Sequence, residues 1–134
     1  MDLFENTTDS LAHCVSQCFT MGKGIAVQFK KRFGCVSQLK AQNATVGNVA
    51  VLHLPDGRWI YYLVTKERYN GKPTYETMRA SLCACRDHAL EHGVKCIAMP
   101  KIGCGLDKLD WRIVGPMITD VFEDTGVEIK IYSL

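Results

Sequence analysis

No apolar run in this 134-residue chain approaches the roughly 20 residues that a bilayer-spanning helix needs, so the sequence predicts no membrane association. It also lacks an excess of charge of one sign. Sixteen Lys and Arg stand against 14 Asp and Glu, for a net charge of +2, and they are spread along the chain. Without a basic stripe or an acidic tail, bulk electrostatics give no support for direct nucleic-acid binding. The densest basic run, Lys30-Lys31-Arg32, reads as the solvated end of a helix. There is no C-x-x-C pair: Cys14-x-x-x-Cys18 and Cys83-x-Cys85 lack the partner set that structural zinc requires, and no metal is expected. Repeats, low-complexity tracts and Ser/Gly-rich linkers are missing too, which predicts one domain over residues 1–134.

The first residues, Met1-Asp2-Leu3-Phe4-Glu5, have neither the basic nor the apolar region of a secretory leader. Seven cysteines, an odd number scattered through apolar segments, read as free thiols in a reducing compartment. An intracellular protein of the nucleus or cytoplasm is expected, with several cysteines acting as small core residues.

The chain alternates strand and helix signals. Ser10 to Ser16 reads as a short buried strand. Met21-Gly22-Lys23-Gly24-Ile25-Ala26 opens a helix with Ile25, Phe29 and Phe33 on one face, ended by Gly34. Val36 and Leu39 predict another helical turn or two. Val49 to Leu54 and Trp59 to Thr65 are strands joined by Pro55-Asp56-Gly57-Arg58, a hairpin signal, with Lys66 at the end of the second. Pro73-Thr74 begins the longest helix, whose face is Tyr75, Met78, Leu82, Cys85 and Ala89 and whose stop is Gly93. Val94 to Ala98 predicts a buried strand. Asp110 is the expected N-cap of a last helix, with Trp111, Val114, Ile118, Val121 and Phe122 turned inward. Pro116 falls inside that helix and predicts a late start or a kink. Val127, Ile129 and Ile131 alternate along a closing strand. Strands alternating with helices around one hairpin predict an α/β sandwich with a mixed sheet.

Two glycine loops follow strands, where open α/β sheets place ligands. The second, Met99-Pro100-Lys101-Ile102-Gly103-Cys104-Gly105-Leu106-Asp107, offers backbone N–H groups to an anion such as a phosphate. Asp107 would repel that phosphate, so it is either a solvated aspartate on an ordinary turn or a residue with chemistry of its own. Lys66 is similarly open: a strand-end lysine in water, or an amine nucleophile needing burial or a basic partner. Asp107 is the candidate partner at the same end of the sheet. Cys104 shows no base nearby in sequence, and packing against a ligand is its expected role. His88-Ala89-Leu90-Glu91-His92 matches an H-x-x-E-H zinc pattern, but no further ligand candidate accompanies it and the metal reading is rejected.

The ordered set Asp2-Leu3-Phe4, Asp9-Ser10-Leu11-Ala12-His13-Cys14, Met21 to Val27, Ile60 to Lys66, Lys72-Pro73-Thr74-Tyr75-Glu76 and Pro100 to Asp107 resembles the macrodomains over residues 2 to 134. Within them it is similar to the terminal ADP-ribose protein glycohydrolases. The resemblance implies a three-layer α/β/α macrodomain with a mixed central sheet, here lacking the usual N-terminal strand. It implies ADP-ribose in a cleft at the strand ends, with Asp2 bonding the adenine beside Leu3 and with Leu134 closing near it. Ser16 and the segment Gly22, Gly24, Ile25 and Ala26 would lie near the distal ribose. Lys101, Ile102, Gly103, Cys104, Gly105 and Leu106 would wrap the diphosphate and distal ribose. Lys66 would attack the anomeric carbon and Asp107 would act as general acid/base. The implied activity removes ADP-ribose from glutamate or aspartate side chains, and by the same chemistry cleaves O-acyl-ADP-ribose. No cofactor is expected, and the implied partners are ADP-ribose and ADP-ribosylated proteins, bound by a monomer. The competing readings are an ADP-ribose-binding module without turnover and, with less support, an RNA-binding domain.

Overall fold

The computed structural model describes residues 2–133, which form five strands and four α-helices around one sheet. After a 3-10 turn at Leu3–Glu5 come β1 (Ser10–Ser16), α1 (Ile25–Phe33), α2 (Val36–Ala41), β2 (Asn48–His53) and β3 (Trp59–Lys66). The chain continues through α3 (Tyr75–Glu91), β4 (Cys96–Pro100), α4 (Trp111–Phe122) and β5 (Glu128–Tyr132). The sheet order is β2-β3-β1-β4-β5, parallel except for the antiparallel β2–β3 hairpin.

Strand periodicity divides the core in two. On β3, Tyr61 and Leu63 face the layer of α3 and α4 with Met78, Leu82, Cys85, Val114 and Ile118. Their neighbours Ile60, Tyr62 and Val64 face the other layer, with Leu3, Phe29 and Leu39. A strand buried on both faces needs the near-continuous apolar run that Ile60 to Val64 supplies. Because β1 and β4 are adjacent and parallel, yet lead into helices on opposite faces, their carboxyl ends open a crevice at the topological switch point. That crevice holds the candidate site.

Three expectations need correcting. The strand expected from Val94 begins instead at Cys96. The Val94 amide turns back to the Ala89 carbonyl at 2.9 Å, and the His92 amide to that of His88, closing α3 around Gly93 at φ +68°. Of the late start or kink expected from Pro116, the late start is absent: α4 begins at Trp111, capped by the Asp110 carboxylate, with Pro116 as its sixth residue. The missing donor faces the carbonyl of the exposed Arg112, which water can satisfy, and Gly115 leaves room for the Trp111 ring, 3.3 Å from where a Cβ would stand. Trp111 is therefore only half-buried. Finally, β5 is an edge strand: Val127 is buried, but Ile131 is 37% exposed and the expected inward face thins toward the carboxyl end. Beside it, between α4 and β5, runs an apolar groove of about 500 Å³. Among the described residues, no helix is long and apolar enough to cross a membrane.

Candidate active site

A cleft of about 990 Å³ opens at the carboxyl ends of β1, β3 and β4. Its floor is an ion pair. Lys66 Nζ donates to Asp107 Oδ1 at 2.6 Å, with the two side chains only 15% and 16% exposed. Lys66 reaches this position through a slip in the sheet register. Val15 pairs with Val64, but Ser16 pairs with Lys66, so Thr65 is passed over. Such irregularities re-aim side chains where pairing ends. The Gln17 amide then holds the Lys66 carbonyl at 2.8 Å. From the other side, Thr77 Oγ1 donates to the Thr65 carbonyl at 2.8 Å, tying the strand end to the first turn of α3.

Asp107 arrives on the loop after β4. Gly103, at φ +72°, turns that loop where no side chain fits: a Cβ there would come within 2.7 Å of Met78 Cε and 2.9 Å of Leu109 Cδ1. The Leu109 amide closes the turn on the Gly103 carbonyl at 2.7 Å, and the Lys108 amide bonds the Gly105 carbonyl at 3.1 Å. The opposite wall is the loop from Thr20 to Ala26. Gly24 (φ +60°) is the last residue of this wall before α1, and its Cβ position lies 3.4 Å from Leu106 Cδ1, so the two glycine loops meet across the cleft.

Helix α1 starts at this meeting point without a side-chain cap and without an acidic residue in its first turn. Its first N–H groups and the positive end of its dipole face the cleft, which suits an anion. Helices α3 and α4 are closed to such use, capped by Thr74 and Asp110 respectively.

Of the sequence-predicted residues, Ser16, Gly22, Gly24, Ile25, Ala26, Lys66 and Lys101 to Asp107 all line this one cleft. Two do not. Leu3 is fully buried in the α1-side core and has no surface to give a ligand. Asp2 is exposed and is not among the residues lining the cleft, and its carboxylate accepts the Phe4 amide at 3.0 Å. An adenine contact for these two residues is implied by the family resemblance alone; in this fold apolar burial draws Leu3 inward. Leu134 lies outside the described residues.

The cleft also takes in residues that the sequence did not single out: His13, Cys14, Tyr69, Lys72, Lys108 and Tyr132. His13 is fully buried and stacks on Phe29 at 3.7 Å, and burial pushes its ring down to about 3, so it is neutral. Burial likewise raises the Cys14 thiol, as does the nearby Asp107 carboxylate, which leaves it protonated and inert. Cys104 is half-buried, and burial followed by the Asp110 charge raises its thiol too, against a nucleophilic role. All seven cysteines are free thiols. The His88 and His92 rings stack on each other at 3.9 Å, and His88 Nδ1 is bonded to the Tyr61 hydroxyl at 2.8 Å. Among the described residues, no group of three or more His, Cys, Asp or Glu side chains is arranged to hold a metal.

The Macro domain family matches residues 12–118, which include most of β1, both glycine loops, Lys66 and Asp107. The chain belongs to the macro domain family. The human ADP-ribose glycohydrolase OARD1 is 54% identical over 127 residues, spanning 95% of this macro domain and 83% of that protein. A DNA ADP-ribosyl glycohydrolase of Thermus aquaticus is 29% identical over 143 residues, spanning 98% of this chain but 39% of its own length. The solved macrodomain of Mycobacterium tuberculosis DarG superposes with a TM-score of 0.89 at 27% identity, covering 98% of this chain and 93% of that one. The three-layer α/β/α arrangement is therefore that of the macro domains.

Proposed function

We propose that this macro domain binds ADP-ribose in the β1/β3/β4 cleft and releases it from the carboxylate side chains of modified proteins. The observation that carries this reading is the Lys66–Asp107 pair, held at 2.6 Å on the floor of a cleft walled by two glycine loops. An anion at the uncapped start of α1 and against the 101–107 loop would place a sugar over Lys66. The names of the relatives, ADP-ribose glycohydrolase and DNA ADP-ribosyl glycohydrolase, support the same ligand.

The chemistry follows from the pair. Lys66 passes a proton to Asp107 Oδ1, and the neutral amine attacks the anomeric carbon of the distal ribose. The C–O bond to the protein breaks and the glutamate or aspartate leaves as a carboxylate with the electron pair, needing no proton. The Lys66 adduct opens to a Schiff base. Asp107 guides water to it, and breaking the C–N bond returns the amine and free ADP-ribose. The same route hydrolyses an O-acyl ester of ADP-ribose.

The test is turnover of a glutamate-linked ADP-ribosylated protein by wild type, Lys66→Ala and Asp107→Ala, with calorimetric titration of ADP-ribose into each. Lys66→Ala should abolish release. Asp107→Ala should slow it by about 10²- to 10⁴-fold, the range of a lost acid/base group. Both variants should keep ADP-ribose binding. Undiminished release by Lys66→Ala would refute the mechanism, and binding by wild type without release would identify a recognition module instead.

A further inference from the structure

The near-neutral balance of the whole chain hides an uneven distribution. All 14 Asp and Glu lie outside residues 10–55, where an even spread would place about five of them. That stretch holds Lys23, Lys30, Lys31, Arg32 and Lys40, a net +5. The rest of the chain carries 11 Lys and Arg against the 14 acids, a net −3. The fold turns this run of sequence into a layer: β1 and β2 enter the sheet, α1 and α2 cover one face of it, and all five cations are exposed. The opposite layer mixes both signs and pairs them, Arg79 with Asp120, Arg86 with Asp87 and Arg112 with Asp110.

The cationic layer begins at the cleft wall. Lys23 lines the cleft, and Lys30 Nζ donates to the carbonyl of Thr20, on the same wall, at 3.4 Å. Lys31 and Arg32 follow in the last turn of α1, and Lys40 stands in the last turn of α2. The Arg32 guanidinium lies 4.5 Å from the centre of the Phe4 ring. Asp2 and Glu5, which flank that ring on the 3-10 turn, make no ion pair with any of the five. Compensation of a helix dipole accounts for a cation at each C-terminus. It does not account for three in succession, which repel one another, in a layer with no carboxylate to relieve them.

We propose that the α1–α2 layer is a second binding surface, beside the cleft, that holds duplex nucleic acid by its phosphate backbone. This goes beyond the proposed function and does not depend on it. An exposed layer of one-signed charge is the electrostatic footprint of polyanion binding. No large apolar side chain of residues 10–55 is exposed, which leaves nothing to insert into a lipid surface or to stack on unpaired bases. The exposed neighbours are Gln28, Ser37, Gln38 and Asn43, residue types that bond phosphate and sugar oxygens. Helix α1 has nine residues and is about 14 Å long. A duplex presents about one charge per 1.7 Å of its axis, so several phosphates meet these cations at once, more than an acidic peptide of the same span offers. Backbone contacts of this kind carry no sequence preference.

The test is fluorescence anisotropy with a labelled DNA duplex of about 20 base pairs, two helical turns. Wild type should bind it with an affinity that falls by about 10²- to 10³-fold as salt rises from about 50 to 200 mM, the response of four or five phosphate contacts. The triple variant Lys30→Gln, Lys31→Gln, Arg32→Gln should lower the log–log salt slope by about 3, and Lys31→Gln alone by about 1. Lys23 is left intact because it lines the cleft. A control, Arg79→Gln, Arg86→Gln, Arg112→Gln, removes the same charge from the other layer and should bind the duplex as wild type does. All three variants should take up ADP-ribose like wild type in calorimetry, which shows that they are folded. Absence of duplex binding at about 50 mM salt, in a wild type that binds ADP-ribose, would overturn this inference and leave the proposed function standing. Equal losses in the two triple variants would overturn it too, since net charge and not place would then govern binding. So would tighter binding to polyglutamate or to phosphatidylserine vesicles than to the duplex.

Discussion

Replacing Gly103 by alanine tests how the loop that delivers Asp107 is built. The residue sits at φ +72°, where a Cβ costs about 1–2 kcal/mol in backbone strain. The added methyl would also stand 2.7 Å from Met78 Cε and 2.9 Å from Leu109 Cδ1, about 1 Å inside ordinary carbon–carbon contact. Both are side-chain ends that can move, but Met78 is fully buried, so the overpacking adds about 1–3 kcal/mol. Lower entropy of the unfolded chain returns about 0.4–1 kcal/mol. The net loss should be about 2–4 kcal/mol in urea denaturation. Two other glycines separate the contributions. Gly57→Ala, at φ +95° with nothing within 4 Å, should lose only the backbone share. Gly105→Ala, with an ordinary φ and open space around its Cβ, should leave stability unchanged but weaken ADP-ribose binding if that backbone lies against the diphosphate. A Gly103→Ala protein within about 0.5 kcal/mol of wild type, the range of an ordinary surface change, would refute this account of the loop.

His13 gives the fold a pH dependence of known sign. Its native ring is held down to about 3 by burial, so below its ordinary value of 6.5 the unfolded chain takes up a proton that the native state refuses. Its stabilising share is complete above pH 6.5 and is lost as pH falls, by about 2 kcal/mol between pH 6.5 and 5. Denaturation across that range should show His13→Leu with a correspondingly flatter slope. Thr74→Ala removes a capping box in which Thr74 and Thr77 each accept the other's amide at 3.0 Å. It should cost about 1 kcal/mol by thermal or chemical melting and leave ADP-ribose affinity unchanged.

Much of this fold is legible in the sequence because its signals are local. Gly34 and Gly93 end helices where their positive φ permits it, Asp110 caps α4, and the Pro55 to Arg58 turn sets the β2–β3 hairpin. The site is legible to the extent that it follows strands: loops after β1 and β4 had to share a crevice once those strands were neighbours. What sequence could not supply was orientation that depends on tertiary contacts. The register slip between Val15 and Ser16, which sets Lys66 opposite Ser16, has no composition signal. Neither does the burial of Leu3, which a position near the chain start would not suggest. Lys72 and Lys108 look like ordinary surface lysines until the fold brings their segments to the same rim.

The three longer helices show how one chain keeps a binding end apart from its structural ends. At α3 the cap is a threonine box and at α4 an aspartate, so each sequence satisfies its own first amides and has nothing left for a ligand. At α1 the cap position is Gly24, whose φ of +60° suits glycine, and which has no side chain to spend on the amides behind it. A Ser, Thr, Asp or Asn cap takes extended backbone, so one here would need a different turn and would occupy the site itself. An aspartate would add a charge that repels a phosphate. Leaving α1 uncapped lowers the stability of a nine-residue helix, and packing of Phe29 beneath His13 and Tyr62 offsets it. The missing cap is thus the sequence feature that distinguishes a helix start available to an anion from one that is only the beginning of a helix.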